Sequence, residues 1–91
     1  MSQIIADIKS RIGIEDLVSQ YVTLKKLGNS LKGLCPFHAE KTPSFMVSPE
    51  KGICWCFGCN KGGDIFNFIQ EMENIEFNDA LTILAERAGV K

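Results

Sequence analysis

The chain has 91 residues, 45% of them hydrophobic, and its formal net charge is −1 at pH 7. A chain of this length forms one domain, and so small a domain hides only about two thirds of the surface that its unfolded chain exposes. No apolar run is long enough to span a bilayer, and no signal peptide is visible at the N-terminus. We therefore expect a cytoplasmic domain, without a membrane partner, that needs more than its hydrophobic core to stay folded.

Two amphipathic helices are predicted in residues 1–20, and the apolar face of the second continues to Tyr21. Apolar residues recur every three or four positions, the spacing that places them on one face of a helix. They are Ile4, Ile5, Ile8 and Ile12 in the first helix and Ile14, Leu17, Val18 and Tyr21 in the second. Gly13 lies between the two groups, and we expect it to close the first helix at its C-terminal end.

Residues 21–63 carry the signals of two β-hairpins. The β-compatible runs are residues 22–27, 30–34, 44–47 and 52–55. Gly28-Asn29 separates the first two runs and suits a two-residue turn. Pro49 lies between the last two and fits the first corner of a turn. The second hairpin leads directly into Cys56.

Cysteine and histidine residues at metal-ligand spacing flank the second hairpin. Two residues separate Cys35 from His38, and two separate Cys56 from Cys59. Such a pair turns both donor atoms toward the same ion, and three thiolates with one imidazole complete a tetrahedral Zn²⁺ site. Because all four ligands are protein atoms, no position stays open for water. The pattern predicts one structural zinc ion.

A fourth cysteine, Cys54, competes for a place in this site. It precedes Cys56 by two positions on a predicted strand and would need a longer loop to reach Cys59. We therefore expect Cys54 to be a free thiol. Thiols stay reduced in the cytosol, so the pattern indicates a metal site and not disulfides.

Residues 64–91 are expected to form two further helices after Gly62-Gly63 breaks the sheet. Asp64 is placed to cap the first of them, which ends near Asn74. The expected buried positions are Ile65, Phe66, Ile69 and Met72 in the first helix and Phe77, Leu81, Leu84, Ala85 and Ala88 in the second. The predicted fold class is small α+β, an antiparallel zinc-ribbon sheet flanked by N- and C-terminal helices.

Charge is unevenly divided along the chain. The net charge is −1 in residues 1–20, +4 in residues 21–63 and −4 in residues 64–91. The cations of the ribbon are Lys25, Lys26, Lys32, Lys41, Lys51 and Lys61. By composition alone, these lysines are explained equally well as a solvated face. A basic sheet with aromatic residues beside a metal site also suits a polyanionic partner.

Four aromatic residues surround the predicted metal site: Phe37, Phe45, Trp55 and Phe57. We expect Phe37 and Phe57 to belong to the small core of the ribbon. Side chains alternate along a strand, so Trp55 faces away from the cysteines on either side of it. Its ring then rests on the helices, or lies on an open face of the sheet, where it can stack an unpaired base.

The motifs around the ligands closely resemble the N-terminal zinc-binding domain of bacterial DnaG-type DNA primases. The matching segments are Lys32-Gly33-Leu34-Cys35-Pro36-Phe37-His38-x-Glu40-Lys41-Thr42-Pro43-Ser44-Phe45, Val47-Ser48-Pro49-Glu50-Lys51 and Cys56-Phe57-Gly58-Cys59-x-x-Gly62-Gly63-Asp64. Ile14-Glu15-Asp16-Leu17-Val18 and Leu84-Ala85-Glu86-Arg87-Ala88-Gly89 also resemble that family. Nearly the whole chain is covered by the resemblance.

The resemblance implies that residues 1–91 are one domain from the N-terminal end of a longer primase. Such a domain binds single-stranded template DNA and helps to choose where an RNA primer begins. Lys25, Lys41, Pro43 and Lys51 match positions on the DNA-binding face of the family, and Trp55 is our addition to that face.

Primer synthesis in this family belongs to a separate polymerase domain of the Toprim type. The resemblance therefore implies that this chain is not catalytic by itself. The partners that it implies are the template strand, the polymerase domain and, through the full-length protein, the replicative helicase.

A second hypothesis stays open. The chain could be a structural or protein-interaction ribbon of a primase-like protein, with its acidic helices docked on a partner. Only the first hypothesis predicts affinity for short single strands that falls steeply with salt.

Overall fold

The computed structural model describes residues 2–38 and 43–90 of the chain. Within these ranges the elements, in chain order, are α1 (Ser2–Arg11), α2 (Ile14–Val18), β1 (Lys25–Leu27), β2 (Ser30–Gly33), β3 (Phe45–Ser48), β4 (Ile53–Cys56), β5 (Lys61–Gly63), α3 (Ile65–Glu73) and α4 (Phe77–Ala88). The predicted α+β class is confirmed: two helices precede the strands in the chain and two follow them. None of the helices in the described ranges is long and apolar enough to cross a membrane.

The strands form one antiparallel sheet in the order β1-β2-β3-β4-β5. Burial alternates along β2, β3 and β4, so one face of the sheet is covered and the other is open to solvent. One row of paired residues on the covered face includes Leu31, Val47, Cys54 and Gly63. The neighbouring row on the open face consists of Lys25, Lys32, Met46, Trp55 and Gly62.

The sequence predicted that Gly62 and Gly63 break the sheet. Instead, they form β5 together with Lys61. At Gly62 the backbone φ is 156°, and a Cβ would lie 2.2 Å from the carbonyl oxygen of Cys54. Only a residue without a side chain allows β5 to approach β4 in this conformation. The prediction was wrong because glycine, which weakens an ordinary strand, is what permits this pairing.

Helix α3 begins with the cap that the sequence predicts. The Asp64 carboxylate accepts hydrogen bonds from the backbone N–H groups of Phe66 and Asn67, both at 3.0 Å. The Asn67 side chain in turn accepts from the Asp64 N–H at 3.0 Å, which completes a capping box. The helix ends at Glu73, and the residue that caps it, Asn74, has a left-handed backbone with φ of 54°.

The N-terminal helices differ from the prediction in two respects. Gly13 does not close α1 in a left-handed conformation but is extended, with φ of −78° and ψ of 142°, and directly precedes α2. An extended backbone is what the residue before a helix adopts. Helix α2 ends at Val18, so Tyr21 lies beyond it, 39% exposed, with its ring edge-on to Phe68 at 5.4 Å.

Phe68 is the centre of the packing between the helices and the sheet, although it was not among the predicted buried positions of α3. It is fully buried, and its ring centroid lies 5.8 Å from that of Phe37 and 6.3 Å from that of Phe45. These rings connect α3, the first ligand loop and β3. Aromatic contacts of this kind bury large apolar areas, so Phe68 holds the metal-binding end of the sheet against the helices.

Helix α4 buries Leu84, as predicted, and also Ala80. Phe77, which was expected to be buried, keeps 37% of its surface exposed. It is the first residue of α4, and its ring packs at the edge of the core against Phe66, at 5.4 Å.

Polar contacts join the two ends of the chain. The Arg11 guanidinium donates hydrogen bonds to the backbone oxygens of Ala88 and Gly89, at 3.2 and 3.3 Å. The Arg87 guanidinium donates to the Gln20 side-chain oxygen. The N- and C-terminal helices therefore form one layer on the covered face of the sheet.

Candidate metal centre and the open face of the sheet

The structure brings the predicted ligands Cys35, His38, Cys56 and Cys59 together. Their donor atoms all lie within 4.8 Å of one another. Cys35 and His38 follow β2, Cys56 is the last residue of β4, and Cys59 lies in the turn to β5. The backbone N–H of Asn60 donates to the Cys56 carbonyl oxygen at 2.8 Å, which closes that turn around the site.

The spacing of the sulfur atoms fits zinc. Cys35 Sγ and Cys59 Sγ lie 3.7 Å apart. Two thiolates at about 2.3 Å from a tetrahedral Zn²⁺ ion are about 3.8 Å apart, whereas two sulfur atoms in a disulfide are only about 2 Å apart. Three cysteines and one histidine form a closed set typical of structural zinc sites. The four residues thus form a zinc-binding site.

The polar groups that point at the ligand sulfur atoms include a backbone N–H and a hydroxyl. The backbone N–H of Phe37 donates to Cys35 Sγ at 3.4 Å, and the Ser44 hydroxyl lies 3.5 Å from Cys56 Sγ, where it can donate. Hydrogen bonds to a thiolate stabilise its negative charge and orient it toward the metal.

The three ligand thiols differ in their pKa before zinc binds. Burial raises the pKa of Cys35 to about 12, and it also raises the pKa of Cys59. Burial acts in the same direction on Cys56, but hydrogen bonds with Ser44 and Cys35 outweigh it and lower the pKa of Cys56 to about 7. Cys56 is therefore the thiol that ionises first.

Cys54 lies outside the ligand cluster. Its side chain is 2% exposed on the covered face, two residues before Cys56 on β4, where it pairs with Val47 and Gly63. Burial raises its pKa to about 11, so it remains a protonated thiol at neutral pH. This position agrees with the expectation that Cys54 is not a ligand.

The two aromatic residues expected in the ribbon core differ in their surroundings. Phe37 is partly buried and packs edge-on to Phe45 at 5.7 Å, which confirms the expectation. Phe57 is 67% exposed, so the expectation for this residue was wrong. Its N–H donates to the Ser44 carbonyl oxygen at 3.0 Å, so strand pairing continues one residue past β4. Alternation then places Phe57 on the same face as Trp55.

Trp55 lies on the open face, not against the helices. It is 39% exposed and pairs with Met46 on β3. Met46 pairs with Lys32 on β2, and Lys32 pairs with Lys25 on β1. We call Lys25, Lys32, Met46 and Trp55 the open-face row. Lys32 was not among the predicted binding residues. Its orientation could have been predicted from the sequence, because Leu31 and Gly33 alternate with the polar residues Ser30 and Lys32 along this strand.

The other predicted binding residues border the same face. Lys25 and Pro43 line a groove of ≈250 Å³ whose remaining walls are Lys26, Leu27 and Lys32. A second groove, of ≈200 Å³, lies beside Trp55 and is lined by Lys51. Lys41 lies outside the described residues.

Comparison with known proteins identifies relatives along the entire chain. A family model described as CHC2 zinc finger matches residues 1–91. The DNA primases of Borreliella burgdorferi and Staphylococcus epidermidis are 54% and 52% identical to the chain over 88 residues, or 97% of it. The chain spans only 17% and 15% of the length of those two proteins.

A solved structure supports the same relationship. The crystal structure of the zinc-binding and RNA polymerase domains of the Aquifex aeolicus primase matches with a TM-score of 0.89 and 43% identity. The match covers 97% of this chain and 22% of that chain. The sheet and the helices described above therefore share their fold with part of that protein.

Proposed function

Because this chain belongs to the CHC2 zinc finger family and is a zinc-binding domain of the DNA primase type, we propose that it binds single-stranded template DNA. In this proposal it helps to select the site at which an RNA primer begins. Primer synthesis would take place in a separate Toprim-type polymerase domain of a longer protein. That domain and, through the full-length protein, the replicative helicase are the proposed protein partners.

The open-face row is the observation that carries this proposal. Lys25 and Lys32 lie on adjacent strands, and Trp55 lies in the same row beyond Met46. Ammonium groups attract phosphates and release their counterions, while an exposed indole ring can stack on a base. A base is open to stacking on both faces only when it is unstacked from its neighbours, so this arrangement favours a single strand over a duplex.

The distribution of charge supports the same face. Among the described residues, the ion pairs are Lys9 with Asp64 and Lys61 with Glu71. Neither pair engages a lysine of the open-face row, so these cations are available to phosphate groups. Helices α3 and α4, which carry acidic residues, pack on the covered face of the sheet, away from the proposed path of the strand.

Fluorescence anisotropy of short labelled DNA strands, titrated with the zinc-loaded domain at low and moderate salt, tests the proposal. We expect binding that weakens as salt rises, and Trp55→Ala should weaken it by about fivefold or more, because one stacked base contributes about 1–3 kcal/mol. Phe77→Ala is the matched control, since Phe77 has nearly the same exposure as Trp55 but lies on α4.

A folded, zinc-loaded domain that binds no strand at millimolar concentration would contradict the proposal. The alternative of a structural or protein-interaction ribbon would then be favoured. Its acidic helices α3 and α4 would be the surface to test for binding to the polymerase domain.

A further inference from the structure

Three apolar side chains form a column on the open face, along β4 and one residue past its end. Ile53, Trp55 and Phe57 are 43%, 39% and 67% exposed. They occupy alternate positions, and the hydrogen bond from the Phe57 N–H to Ser44 keeps the last of them in strand pairing. We call these three residues the outer column. A strand that presents three large apolar groups in succession to solvent has a surface suited to a ligand.

The strand repeat sets the spacing between the two aromatic residues of the outer column at about twice the stacking distance of bases. Side chains at alternate positions of a strand are about 6.6–6.8 Å apart. Stacked bases lie about 3.4 Å apart, so one flat ring fits between two others at this separation. Among the described residues, the aromatic pairs in contact do not include Trp55 with Phe57.

The surroundings leave this gap accessible. Trp55 and Phe57 line the same groove of ≈200 Å³, with Met46 and Lys51 among its other walls. Gly62, the partner of Trp55 on β5, has no side chain that could fill the space next to the indole. The groove therefore combines two aromatic walls with a cation at its rim.

We propose that Trp55 and Phe57 hold one unpaired nucleobase between their rings, with the Lys51 ammonium group beside a phosphate of the same strand. The inference rests on the proposed function, because a single strand must first reach the open face. It adds Phe57 as a binding residue presented by the zinc-binding turn itself, between the ligands Cys56 and Cys59. Lys51 in the groove and the lysines of the open-face row on the same side of the sheet favour an anionic strand over an apolar segment of a protein.

Oligonucleotides with one abasic position, moved along the strand, test this inference together with Phe57→Ala. We expect Phe57→Ala to weaken binding of the intact oligonucleotide by about tenfold. One abasic position should weaken binding to the unmodified domain by a similar factor and have little further effect on Phe57→Ala, because both changes remove the same contact. Ile83→Ala, which removes a 42% exposed apolar side chain from α4, should bind like the unmodified domain.

The outcomes separate this inference from the proposed function. If the unmodified domain binds no strand, both fail. If it binds in a salt-dependent way but Phe57→Ala binds equally well, the proposed function stands and this inference is overturned. The inference is also overturned if Phe57→Ala remains fully sensitive to every abasic position.

A second measurement does not depend on the stability of the variant. The fluorescence of 2-aminopurine, placed at the base that the abasic scan identifies, should be quenched when the unmodified domain binds, because the base then stacks between two rings. Unchanged fluorescence on saturation would overturn the inference. Zinc content and circular dichroism are measured on each variant used.

Discussion

Gly62 lies directly opposite Trp55 in the pairing of β5 with β4, and a Cβ at Gly62 would come within 2.8 Å of the Trp55 Cα. The same Cβ would lie 2.2 Å from the backbone oxygen of Cys54. Strand β5 thus approaches β4 closely only because residue 62 has no side chain. This contact fixes the strand that carries both Trp55 and the ligand Cys56.

Replacement of Gly62 by alanine should lower the free energy of unfolding of the zinc-loaded domain by about 2 kcal/mol or more, since it adds a steric clash to an unfavourable φ. Gly28→Ala is the control, because Gly28 also has a positive φ, 65°, but nothing lies within 4 Å of its Cβ position. Urea denaturation measures both. If both variants lose the same free energy of unfolding, β5 has moved to relieve the clash at residue 62, and the predicted effect of the close approach is contradicted.

Zinc binding should depend on Cys56 and not on Cys54, although both are buried on β4. Cys56→Ala removes a ligand and should abolish stoichiometric zinc binding together with the folded ribbon, because binding and folding are coupled. Cys54→Ala should retain one zinc ion and lose only about 1 kcal/mol from a small cavity. Metal analysis after dialysis measures the zinc content, and loss of zinc from Cys54→Ala would refute the assigned ligand set.

The apparent zinc affinity should fall as the pH is lowered. Burial raises the pKa of Cys35 to about 12 and also raises that of Cys59, so both are protonated at neutral pH before zinc binds. Zinc must displace these protons, so about two are released per ion in mildly alkaline solution. Cys56 has a pKa of about 7, so below pH 7 it is also protonated and zinc must displace a third proton. The zinc affinity therefore falls more steeply with decreasing pH in that range.

Calorimetric titrations in buffers of different ionisation enthalpy count the protons released when zinc binds. Competition with a chelator over a range of pH gives the affinity. An affinity that does not change with pH would contradict the assigned protonation states.

Lys32→Ala should reduce the salt dependence of binding to single-stranded DNA. Each phosphate contact on a single strand contributes about 0.7 to the slope of log affinity against log salt, so the magnitude of the slope should fall by about 0.7. Lys61→Ala removes the same charge, but Lys61 is paired with Glu71 at 3.4 Å and lies outside the open-face row. Anisotropy titrations at several salt concentrations give both slopes, and similar changes in the two variants would indicate an effect of net charge alone.

Asp64→Ala should destabilise the domain by about 1 kcal/mol, because it removes the cap of α3. The Asp64 ion pair with Lys9, at 3.0 Å, is partly exposed and should contribute little to this loss. Glu76→Ala is the control, since Glu76 precedes α4 without making a side-chain cap hydrogen bond. Thermal denaturation compares the two, and an effect of Glu76→Ala as large as that of Asp64→Ala would contradict the assigned cap.

Features that depend on neighbouring residues could be predicted from the sequence. Two intervening residues in each pair, Cys35 with His38 and Cys56 with Cys59, identify the zinc ligands because a short loop determines where both donor atoms point. Asp64 identifies the start of α3 for the same reason, since a cap bonds to N–H groups two and three residues later. Both features involve residues that are close in the sequence, so their relative positions do not depend on how the rest of the chain folds.

Features that depend on distant segments were decided only by the tertiary structure. Strand register places Lys32 beside Met46 and Trp55, and the close approach of β5 makes Gly62 part of the sheet. Packing of α3 on the sheet buries Phe68, whereas Phe57, between two ligands, is left on the open face. By itself the sequence determined the metal site and the order of the helices and the first four strands, because these follow from local spacing, but it did not reveal β5. The binding surface depends on which strands pair and in which register, which no local pattern specifies.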